Sequence, residues 1–355
     1  MQTILITGGA GFVGSNLAIL IKRKYPSYKV LCLDNLRRRG SELNLLRLRQ
    51  LGIEFVHGDI REENDFAQIQ GPVDCVIDAA AEPSVLAGLN GNTDYLIGTN
   101  LNGTIHALNF ALKRRAKFVY LSTSRVYPIR TIEEINVEET ATRYELADHQ
   151  TIAGVSRNGI SEKFPLEGAR SLYGATKLAS ELMVEEYHAM FGLRTVTNRC
   201  GVLTGPYQMG KADQGVVVLW MARHFWKKSL SYVGYGGTGK QVRDMLHIDD
   251  LFELIDLQLH HIEKFNGQTF NIGGGRTVSA SLQELTQICR EISGNTIPID
   301  GVDETRQADI RIYLSDCAKI QALTGWEPKI SVQRILIDVF SWIKDNEHSL
   351  KPILT

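Results

Sequence analysis

A tyrosine and a lysine stand four residues apart in the stretch SLYGATKLASE, at Tyr173 and Lys177. On a helix this spacing places both side chains on one face. The ordinary pKa of tyrosine is about 10, so action as a base near pH 7 needs a shift of about three units, or about 4 kcal/mol. An ammonium about 6 Å away supplies roughly 2.8 kcal/mol at an effective dielectric constant of about 20. The pair predicts a tyrosine that exchanges a proton with an alcohol; the alternative is an aromatic residue beside an ordinary surface lysine.

Three hydroxyl side chains, Ser122, Thr123 and Ser124, end the apolar run AKFVYLSTS. The carboxyl ends of strands in open α/β sheets are where ligands bind, so Thr123 is predicted to bridge a substrate hydroxyl and the oxygen of Tyr173. Hydroxyls at the end of a strand can equally cap the next turn.

A glycine loop follows the first apolar run, in TILITGGAGFVGSNL, with Gly8, Gly11 and Gly14. Glycines between a strand and a helix permit a tight turn and let backbone amides approach a pyrophosphate. The next apolar run ends at Asp34, twenty residues after Gly14, where a carboxylate accepts hydrogen bonds from the adenosine ribose. An acid there repels a 2′-phosphate, which favours NAD over NADP, although Arg37 three residues later argues the other way. Asp59 and Ile60, at the end of FVHGDI, are candidates to hold the adenine.

The elements that must position these residues alternate along the first half of the chain. TILIT, KVLCLD, CVIDAAA and KFVYLSTS indicate strands, with helical patterns between them. This alternation predicts an α/β fold with a Rossmann-type doubly wound parallel sheet. Mixed, glycine-rich elements follow from about residue 196. We therefore expect an NAD-binding domain over 1–195 and a smaller mixed α/β substrate lobe over 196–355, with some segments returning to the first domain.

Helix ends in the second half can be read from capping residues. SLQE at 281–284 has the spacing of a capping box, and Gly294 is placed to end that helix. A last helix is predicted to begin at Ser331 and to bury Ile335, Val339 and Trp342. The polar stretch between Tyr127 and Tyr173 has no clear pattern, and a long loop of this kind is often a lid or a specificity loop.

Composition excludes several classes of protein. The 355 residues carry a net charge of −1, which lacks the basic surface that non-specific nucleic-acid binding needs. The five cysteines form no CxxC pair, which argues for reduced thiols and against a zinc site, so no metal is expected. The glycine motif begins too early for a signal peptide, and no apolar run reaches about 18 residues. The expectation is a cytoplasmic protein without a membrane partner.

Taken together, these motifs resemble the extended short-chain dehydrogenase/reductases that epimerise or dehydrate nucleotide sugars. The resemblance also covers TNLNGT around Asn100, GTGKQVRDMLHIDD around Arg243, TFNIGGG, RQADIR around Arg306 and LTGWEPK. Within that superfamily DNLRRRGSELN, FVHGDIR, DQG at 213–215 and GKQVRDMLH look most like the CDP-tyvelose (CDP-paratose) 2-epimerases. The resemblance implies NAD as cofactor, a CDP-linked sugar in preference to a UDP-linked one, and a homodimer or homotetramer paired through helices near 100–113 and 173–190.

The resemblance also implies roles for individual residues. Thr123, Tyr173 and Lys177 are expected to serve catalysis. Cofactor contacts are expected from Gly8, Gly11, Phe12, Val13, Asp34, Asn35, Asp59, Ile60, Ala79, Ala80, Asn100, Ser122, Tyr173 and Lys177. Substrate contacts are expected from Thr123, Ser124, Arg199, Gln214, Arg243 and Arg306. Without the resemblance, Arg243 beside Asp244 would be interpreted as a salt-bridged surface pair.

Departures from the family pattern bear on the reaction. Asp78 stands where the family usually has a histidine, Glu82 lies near the expected cofactor edge, and Tyr127 is followed by Pro128 instead of glycine. Related 4,6-dehydratases follow the strand-end threonine with Asp-Glu, the acid and base that elimination of water needs, whereas this chain has Ser124 and Arg125. The expected reaction is therefore transient oxidation to a keto-sugar at C2 and hydride return to the opposite face.

Three alternatives stay open at this point. A UDP-sugar 4-epimerase would use the same machinery at C4, and an NAD(P)H-dependent keto-sugar reductase would consume its cofactor. A regulatory or scaffold protein that kept only the fold is the third, and the intact Tyr173 and Lys177 argue against it.

Overall fold

The computed structural model describes residues 2–89, 91–210 and 214–354. Its strands are β1 (Thr3–Thr7), β2 (Lys29–Asp34), β3 (Glu54–His57), β4 (Cys75–Asp78), β5 (Lys117–Thr123), β6 (Val137–Glu139), β7 (Tyr144–Leu146), β8 (Val155–Ser156), β9 (Gly159–Ile160), β10 (Thr195–Cys200), β11 (Val202–Thr204), β12 (Leu230–Val233), β13 (Val242–His247), β14 (Gln268–Ile272), β15 (Ser279–Ser281), β16 (Ile299–Val302) and β17 (Ile312–Tyr313).

The α-helices are α1 (Phe12–Lys24), α2 (Asn44–Gln50), α3 (Glu63–Phe66), α4 (Asp94–Ile97), α5 (Gly103–Arg114), α6 (Ile129–Glu133), α7 (Leu172–Phe191), α8 (Val216–Phe225), α9 (Ile248–His260), α10 (Ile262–Phe265), α11 (Leu282–Ser293), α12 (Ala318–Thr324), α13 (Val332–Asp345) and α14 (Glu347–Leu354). A π-helical turn, Gly98–Asn102, joins α4 to α5, and short 3₁₀ turns occupy Ser41–Leu43, Ser124–Val126 and Tyr235–Gly237.

A seven-stranded sheet in the order β14-β10-β5-β4-β1-β2-β3 carries the first half of the chain. Strands β1, β2, β3, β4 and β5 pair in parallel, as expected for strands joined by helical crossovers. Strands β1, β2, β4 and β5 are almost fully buried, which explains why they are near-continuous apolar runs without alternation, whereas the edge strand β3 is partly exposed. The order reverses between β1 and β4, so the sheet is doubly wound, and the predicted Rossmann-type fold class is confirmed.

The chain forms two compact units that interleave in sequence. The first comprises Met1–Val126, Leu172–Arg199 and Leu251–Phe270, and the second comprises Tyr127–Ser171, Cys200–Asp250 and Asn271–Thr355. These limits describe packing alone. The boundary at 195/196 between an NAD-binding domain and a substrate lobe stays a prediction. The core of the first unit includes Leu5, Leu31, Val76, Leu108, Phe118 and Tyr120. The core of the second includes Val217, Trp220, Met245, Leu285, Ile335 and Trp342.

The second unit confirms the helix ends predicted from capping residues. Ser281 and Glu284 form a reciprocal capping box at the start of α11, and Gly294 ends that helix in the left-handed conformation. Ser331 caps α13, whose buried face includes Ile335, Val339 and Trp342. The segment that had no clear sequence pattern forms α6 and two small antiparallel pairs, β6 with β7 and β8 with β9.

Among residues 2–89, 91–210 and 214–354, no helix is both long enough and apolar enough to span a membrane.

Candidate active site

The glycine loop between β1 and α1 is packed so tightly that side chains are excluded. A Cβ atom on Gly8, which has a φ of +62°, would lie 2.8 Å from the Cα atom of Ala80 and 3.0 Å from the carbonyl oxygen of Ala79. A Cβ atom on Gly14 would lie 2.2 Å from the Gly8 carbonyl oxygen. The loop therefore passes directly over the end of β4, against both predicted alanines, and at Gly8 it takes the left-handed backbone form that favours glycine.

The start of α1 has no side-chain cap. Gly11 occupies the N-cap position, Phe12 and Val13 open the helix, and the first turn carries no acidic residue. The amino end of a helix leaves backbone N–H groups without partners and carries partial positive charge. This end of α1 is suited to hold an anion such as a pyrophosphate.

Asp34, at the end of β2, faces the same loop. Its Oδ2 accepts a hydrogen bond from the Ala10 amide at 3.0 Å, and its Oδ1 accepts one from the Leu36 amide at 2.8 Å. Burial raises the pKa of the Asp34 carboxyl, and these backbone donors lower it in part. The guanidinium of Arg37 stacks on Tyr95, with Cζ 3.7 Å from the ring centroid. The cradle of glycines, the uncapped helix and the fixed carboxylate fit the pyrophosphate and ribose of NAD.

Asn35 and Asp59 meet beside Asp34. The Asn35 amide donates to Asp59 Oδ2 at 2.8 Å, and Arg61 donates from Nη2 to the same oxygen, also at 2.8 Å. Burial raises the pKa of Asp59, but the hydrogen bonds from Arg61 and Asn35 outweigh it and hold the pKa at about 2. Ile60, the next residue, is buried. The predicted adenine-binding pair thus lies next to the predicted ribose carboxylate.

The strand-end hydroxyls of β5 have different partners. Ser122 Oγ donates to Glu181 Oε1 at 2.5 Å. Thr123 Oγ1 accepts from the backbone amide of Arg125 at 3.2 Å, so it caps the turn that Ser124 begins. That bond uses an oxygen lone pair of Thr123 and leaves its hydroxyl hydrogen to donate elsewhere. The capping alternative and a substrate role are therefore compatible at Thr123.

Tyr173 and Lys177 lie one turn apart near the start of α7. Tyr173 is 8% exposed and Lys177 is 2% exposed. Lys177 Nζ lies 4.1 Å from the ring centroid of Tyr120, on β5, and the Tyr120 hydroxyl donates to the Lys177 carbonyl oxygen at 3.5 Å. The surface-lysine alternative is wrong, because the ammonium is held in the interior beside the strand that ends in Thr123.

Asn100, in the π-helical turn, is fully buried and joins two segments. Its Oδ1 accepts from the Glu82 amide at 2.8 Å, and its Nδ2 donates to the Glu82 carbonyl oxygen at 3.1 Å. Its own carbonyl oxygen accepts from Ser180 Oγ on α7 at 2.7 Å. Asn100 therefore fixes the chain after β4 against the helix that carries Tyr173.

Arg199 is placed where a direct substrate contact is not supported. Its Nη2 donates to Glu181 Oε2 at 2.6 Å, and both side chains are at most 7% exposed. The cause is that β10 points Arg199 toward α7, where Glu181 supplies the counter-charge. The sequence reasoning missed Glu181, although it follows Lys177 by four residues and so shares its helix face.

The two predicted substrate arginines of the second unit are linked through the segment 306–310. Arg243 Nη2 donates to Asp309 Oδ1 at 2.8 Å and to the Ile310 carbonyl oxygen at 2.7 Å, within the segment that begins with the exposed Arg306. The alternative pairing of Arg243 with Asp244 is wrong, because alternation along β13 sends Asp244 into the interior. Gln214 is half-buried, and Asp213 of the DQG motif lies outside the described residues.

Comparisons with known proteins place the chain in a family. A family model described as the NAD dependent epimerase/dehydratase family matches residues 4–273. A CDP-paratose 2-epimerase of Salmonella typhi is 32% identical over 96% of this chain and 98% of its own length. Among solved structures, a dTDP-glucose 4,6-dehydratase from Streptomyces venezuelae with NAD bound is 27% identical, with a TM-score of 0.78 over 99% of this chain and 100% of that one. A UDP-glucose 4-epimerase of Thermotoga maritima with UDP-glucose is 25% identical, with a TM-score of 0.77 over 98% of this chain and 100% of that one. The chain belongs to the NAD-dependent epimerase/dehydratase family, and NAD is its cofactor.

Proposed function

We propose that this protein epimerises a nucleotide-linked sugar, and that its substrates are CDP-paratose and CDP-tyvelose, interconverted at C2 in carbohydrate biosynthesis. The observation that carries the proposal is the buried Lys177 one helical turn from Tyr173, on the helix that packs against β5. The choice of CDP over UDP rests on the 32% identity to a CDP-paratose 2-epimerase. The free thiols at all five cysteines support a cytoplasmic location.

The residues of this chain would act by moving one proton. The chemistry that bound NAD would supply is reversible hydride transfer with a ring carbon of the sugar. Tyr173 takes the proton of the sugar hydroxyl as its phenolate and gives it back in the second half of the reaction. The ammonium of Lys177 favours that phenolate, because an opposite charge stabilises the ionised form. Thr123 donates its remaining hydroxyl hydrogen and orients the reacting oxygen.

The remaining candidate residues would bind the two ligands. Gly8, Gly11, Phe12 and Val13 would hold the pyrophosphate of NAD with backbone N–H groups, and Asp34 would accept hydrogen bonds from its ribose. The other proposed contacts to NAD come from Asn35, Asp59, Ile60, Ala79, Ala80, Asn100 and Ser122. Arg243, Arg306 and Gln214 would hold the nucleotide diphosphate, and Ser124 would contact the sugar. Arg199 is not part of this proposal, because its guanidinium is paired with Glu181.

Epimerisation is preferred to dehydration because of the residues after Thr123. Elimination of water needs an acid for the leaving hydroxyl and a base at the neighbouring carbon. Ser124 and Arg125 follow Thr123 in the 3₁₀ turn, and neither is a carboxylic acid. The dehydratases among the relatives share the fold with this chain, but the reaction proposed here returns hydride to the keto-sugar and eliminates no water.

One competing function has a specific observation in its favour. The likeness to a UDP-glucose 4-epimerase solved with UDP-glucose extends over 98% of this chain. The same Tyr173 and Lys177 would serve oxidation at C4 if the sugar were turned in the site. The two functions therefore differ in substrate and in the inverted carbon, and both predict no net consumption of NAD.

The test is a panel of CDP- and UDP-sugars incubated with the protein and NAD in deuterated water and followed by NMR. We expect inversion at C2 of a CDP-sugar without deuterium on the inverted carbon, since the same hydride returns. Deuterium at that carbon would indicate enolisation and overturn the mechanism. Inversion at C4 of a UDP-sugar would replace the proposed substrate, and stoichiometric oxidation of NADH would indicate a reductase instead.

A further inference from the structure

Asp78 is a carboxylate buried at the end of β4. Its side chain is fully excluded from solvent. Thr7 Oγ1 donates to its Oδ1 at 2.5 Å, and Thr104 Oγ1 donates to its Oδ2 at 2.8 Å. These two hydroxyls and the backbone N–H of Ala80, which also donates to the carboxylate, fill only part of its roughly four acceptor positions. A carboxylate buried in this way needs a cation to remain ionised.

A cation that acts on Asp78 is Lys177. Asp78 and Tyr120 are paired residues in the register of β4 and β5, so their side chains point to the same face of the sheet. Lys177 Nζ lies 4.1 Å from the ring centroid of Tyr120, on that face. Burial raises the pKa of the Asp78 carboxyl, and the Lys177 ammonium is the largest of the influences that lower it.

A second carboxylate on this side of the sheet, Glu181, already has a cationic partner. Burial raises the pKa of Tyr120. The charges of Asp78 on β4 and of Glu181 and Tyr173 on α7 raise it further. Glu181 is occupied by the guanidinium of Arg199, with Nη2 2.6 Å from Oε2. Of these two carboxylates, Asp78 is therefore the one whose charge is available to balance Lys177.

We propose that Asp78 is the buried counter-ion of Lys177, a positioning residue that keeps the lysine protonated one helical turn from Tyr173. This inference rests on the proposed function for its catalytic meaning. A buried lysine loses its proton more easily than an exposed one, because burial disfavours the charged form. A carboxylate on the same face offsets that effect and holds the ammonium in the state that acts on Tyr173.

The first test is a double-mutant cycle on thermal stability, which needs no substrate. Lys177→Met leaves the Asp78 carboxylate buried without its cation, so we expect a marked fall in Tm. Adding Asp78→Asn should recover much of that fall, whereas the same substitution in the wild type should lower the Tm. Asp74→Asn is the matched control, since Asp74 is exposed just before β4, and its effect should be the same in both backgrounds.

Equal effects of Asp78→Asn in the two backgrounds would show that the carboxylate acts independently of Lys177 and would overturn the proposal. If Asp78→Asn folds only together with Lys177→Met, the coupling is supported in its strongest form. If it folds in neither background, the proposal is likewise overturned.

The second test is the pH profile of kcat/KM for Asp78→Asn on the sugar found active. Without its counter-ion the buried lysine should deprotonate at lower pH, so the alkaline limb should move down by one pH unit or more. A purely structural role would lower the profile without moving that limb. Turnover of no nucleotide sugar by the wild type would defeat the proposed function, and the stability cycle would still decide the role of Asp78.

Discussion

Both carboxylate oxygens of Glu181 accept hydrogen bonds from the guanidinium of Arg199 inside the first compact unit. Arg199 Nε lies 3.1 Å from Oε1 and 3.0 Å from Oε2, and Nη2 lies 2.6 Å from Oε2. Ser122 Oγ donates to the same carboxylate. A buried pair of this kind is strongly destabilising to break, because removal of one partner leaves the other charge buried alone.

Glu181→Gln should therefore lower the free energy of unfolding by about 3–5 kcal/mol, measured by urea denaturation with the wild type in parallel. Glu134→Gln is the control, since Glu134 pairs with Arg130 on the surface with side chains 55% and 90% exposed. That control should cost under about 1 kcal/mol. A loss at Glu181 no larger than the loss at Glu134 would contradict the interpretation of the buried pair.

The proton transfer assigned to Tyr173 predicts a loss of turnover without a loss of cofactor. Tyr173→Phe removes only the phenolic oxygen, so NAD should bind with an unchanged Kd while kcat falls by roughly 10²–10⁴-fold. Tyr187→Phe is the matched control, because Tyr187 lies on the same helix and its hydroxyl donates to Asn109 at 2.6 Å. Near-full turnover by Tyr173→Phe would remove that residue from catalysis.

Local patterns in the sequence predicted how the candidate cofactor-binding residues are placed relative to one another. Gly8, Gly11 and Asp34 are tied together by a turn between consecutive elements, so spacing alone constrains their geometry. Tyr173 and Lys177 are tied by one helical turn. The capping box at Ser281 and Glu284 is local in the same sense, and all of these features take the positions expected in the fold.

Partners that are distant in sequence could not be predicted in the same way. Arg199 meets Glu181 across 18 residues, and Arg243 meets Asp309 across 66 residues. The packing of whole elements decides which side of a strand an arginine side chain occupies. It also decides which acidic side chain lies close enough to pair with it. Asp78 is a similar case, because its proximity to Lys177 follows from the register of β4 with β5 and from the packing of α7 on that sheet.

The fixed carboxylate of Asp34 predicts discrimination between NAD and NADP. Asp34→Asn keeps the size of the side chain and removes the charge that repels a 2′-phosphate. We expect Kd for NAD to rise by roughly 10- to 150-fold, since a hydrogen bond to a charged group is worth about 1.5–3 kcal/mol, and Kd for NADP to fall relative to Kd for NAD. Binding calorimetry with both dinucleotides measures this ratio. Glu54→Gln, at the exposed start of β3, should leave the ratio unchanged; an unchanged ratio in Asp34→Asn would refute the assignment.

The buried carboxyl of Asp244 predicts a pH dependence of stability. Its Oδ2 accepts from the Ser315 and Gly275 amides at 3.0 and 3.1 Å, and burial raises its pKa from 3.8 to about 6. The folded state thus holds this proton at pH values where the unfolded chain has lost it, so stability falls as pH rises from about 4 to about 6. The shift corresponds to about 3 kcal/mol across that window.

Asp244→Asn should remove that contribution, so the difference in unfolding free energy between wild type and variant should change by about 3 kcal/mol between pH 4 and pH 7, in favour of the variant at higher pH. Urea denaturation at several pH values measures it. Asp249→Asn, with a side chain 54% exposed, is the control, and its difference from wild type should stay nearly flat. A flat difference for Asp244→Asn as well would mean that its carboxyl is not titrating differently in the folded state.

The exposed apolar side chains of α7 predict self-association. Leu182 is 57% exposed and Met190 is 71% exposed, and with Leu172 they fall within an arc of about 80° at 100° per residue. A helix face of this kind is typical of an interface, since water contacts of apolar groups are unfavourable. Leu182→Arg should therefore convert a dimer into a species of one chain mass, 39.6 kDa, or a tetramer into a smaller assembly, measured by light scattering after size exclusion. Leu46→Arg, on α2 and 63% exposed, matches it in chemistry and should leave the mass unchanged. A wild-type protein already at one chain mass, or an oligomer that persists in Leu182→Arg, would rule out this face as the contact that joins the copies.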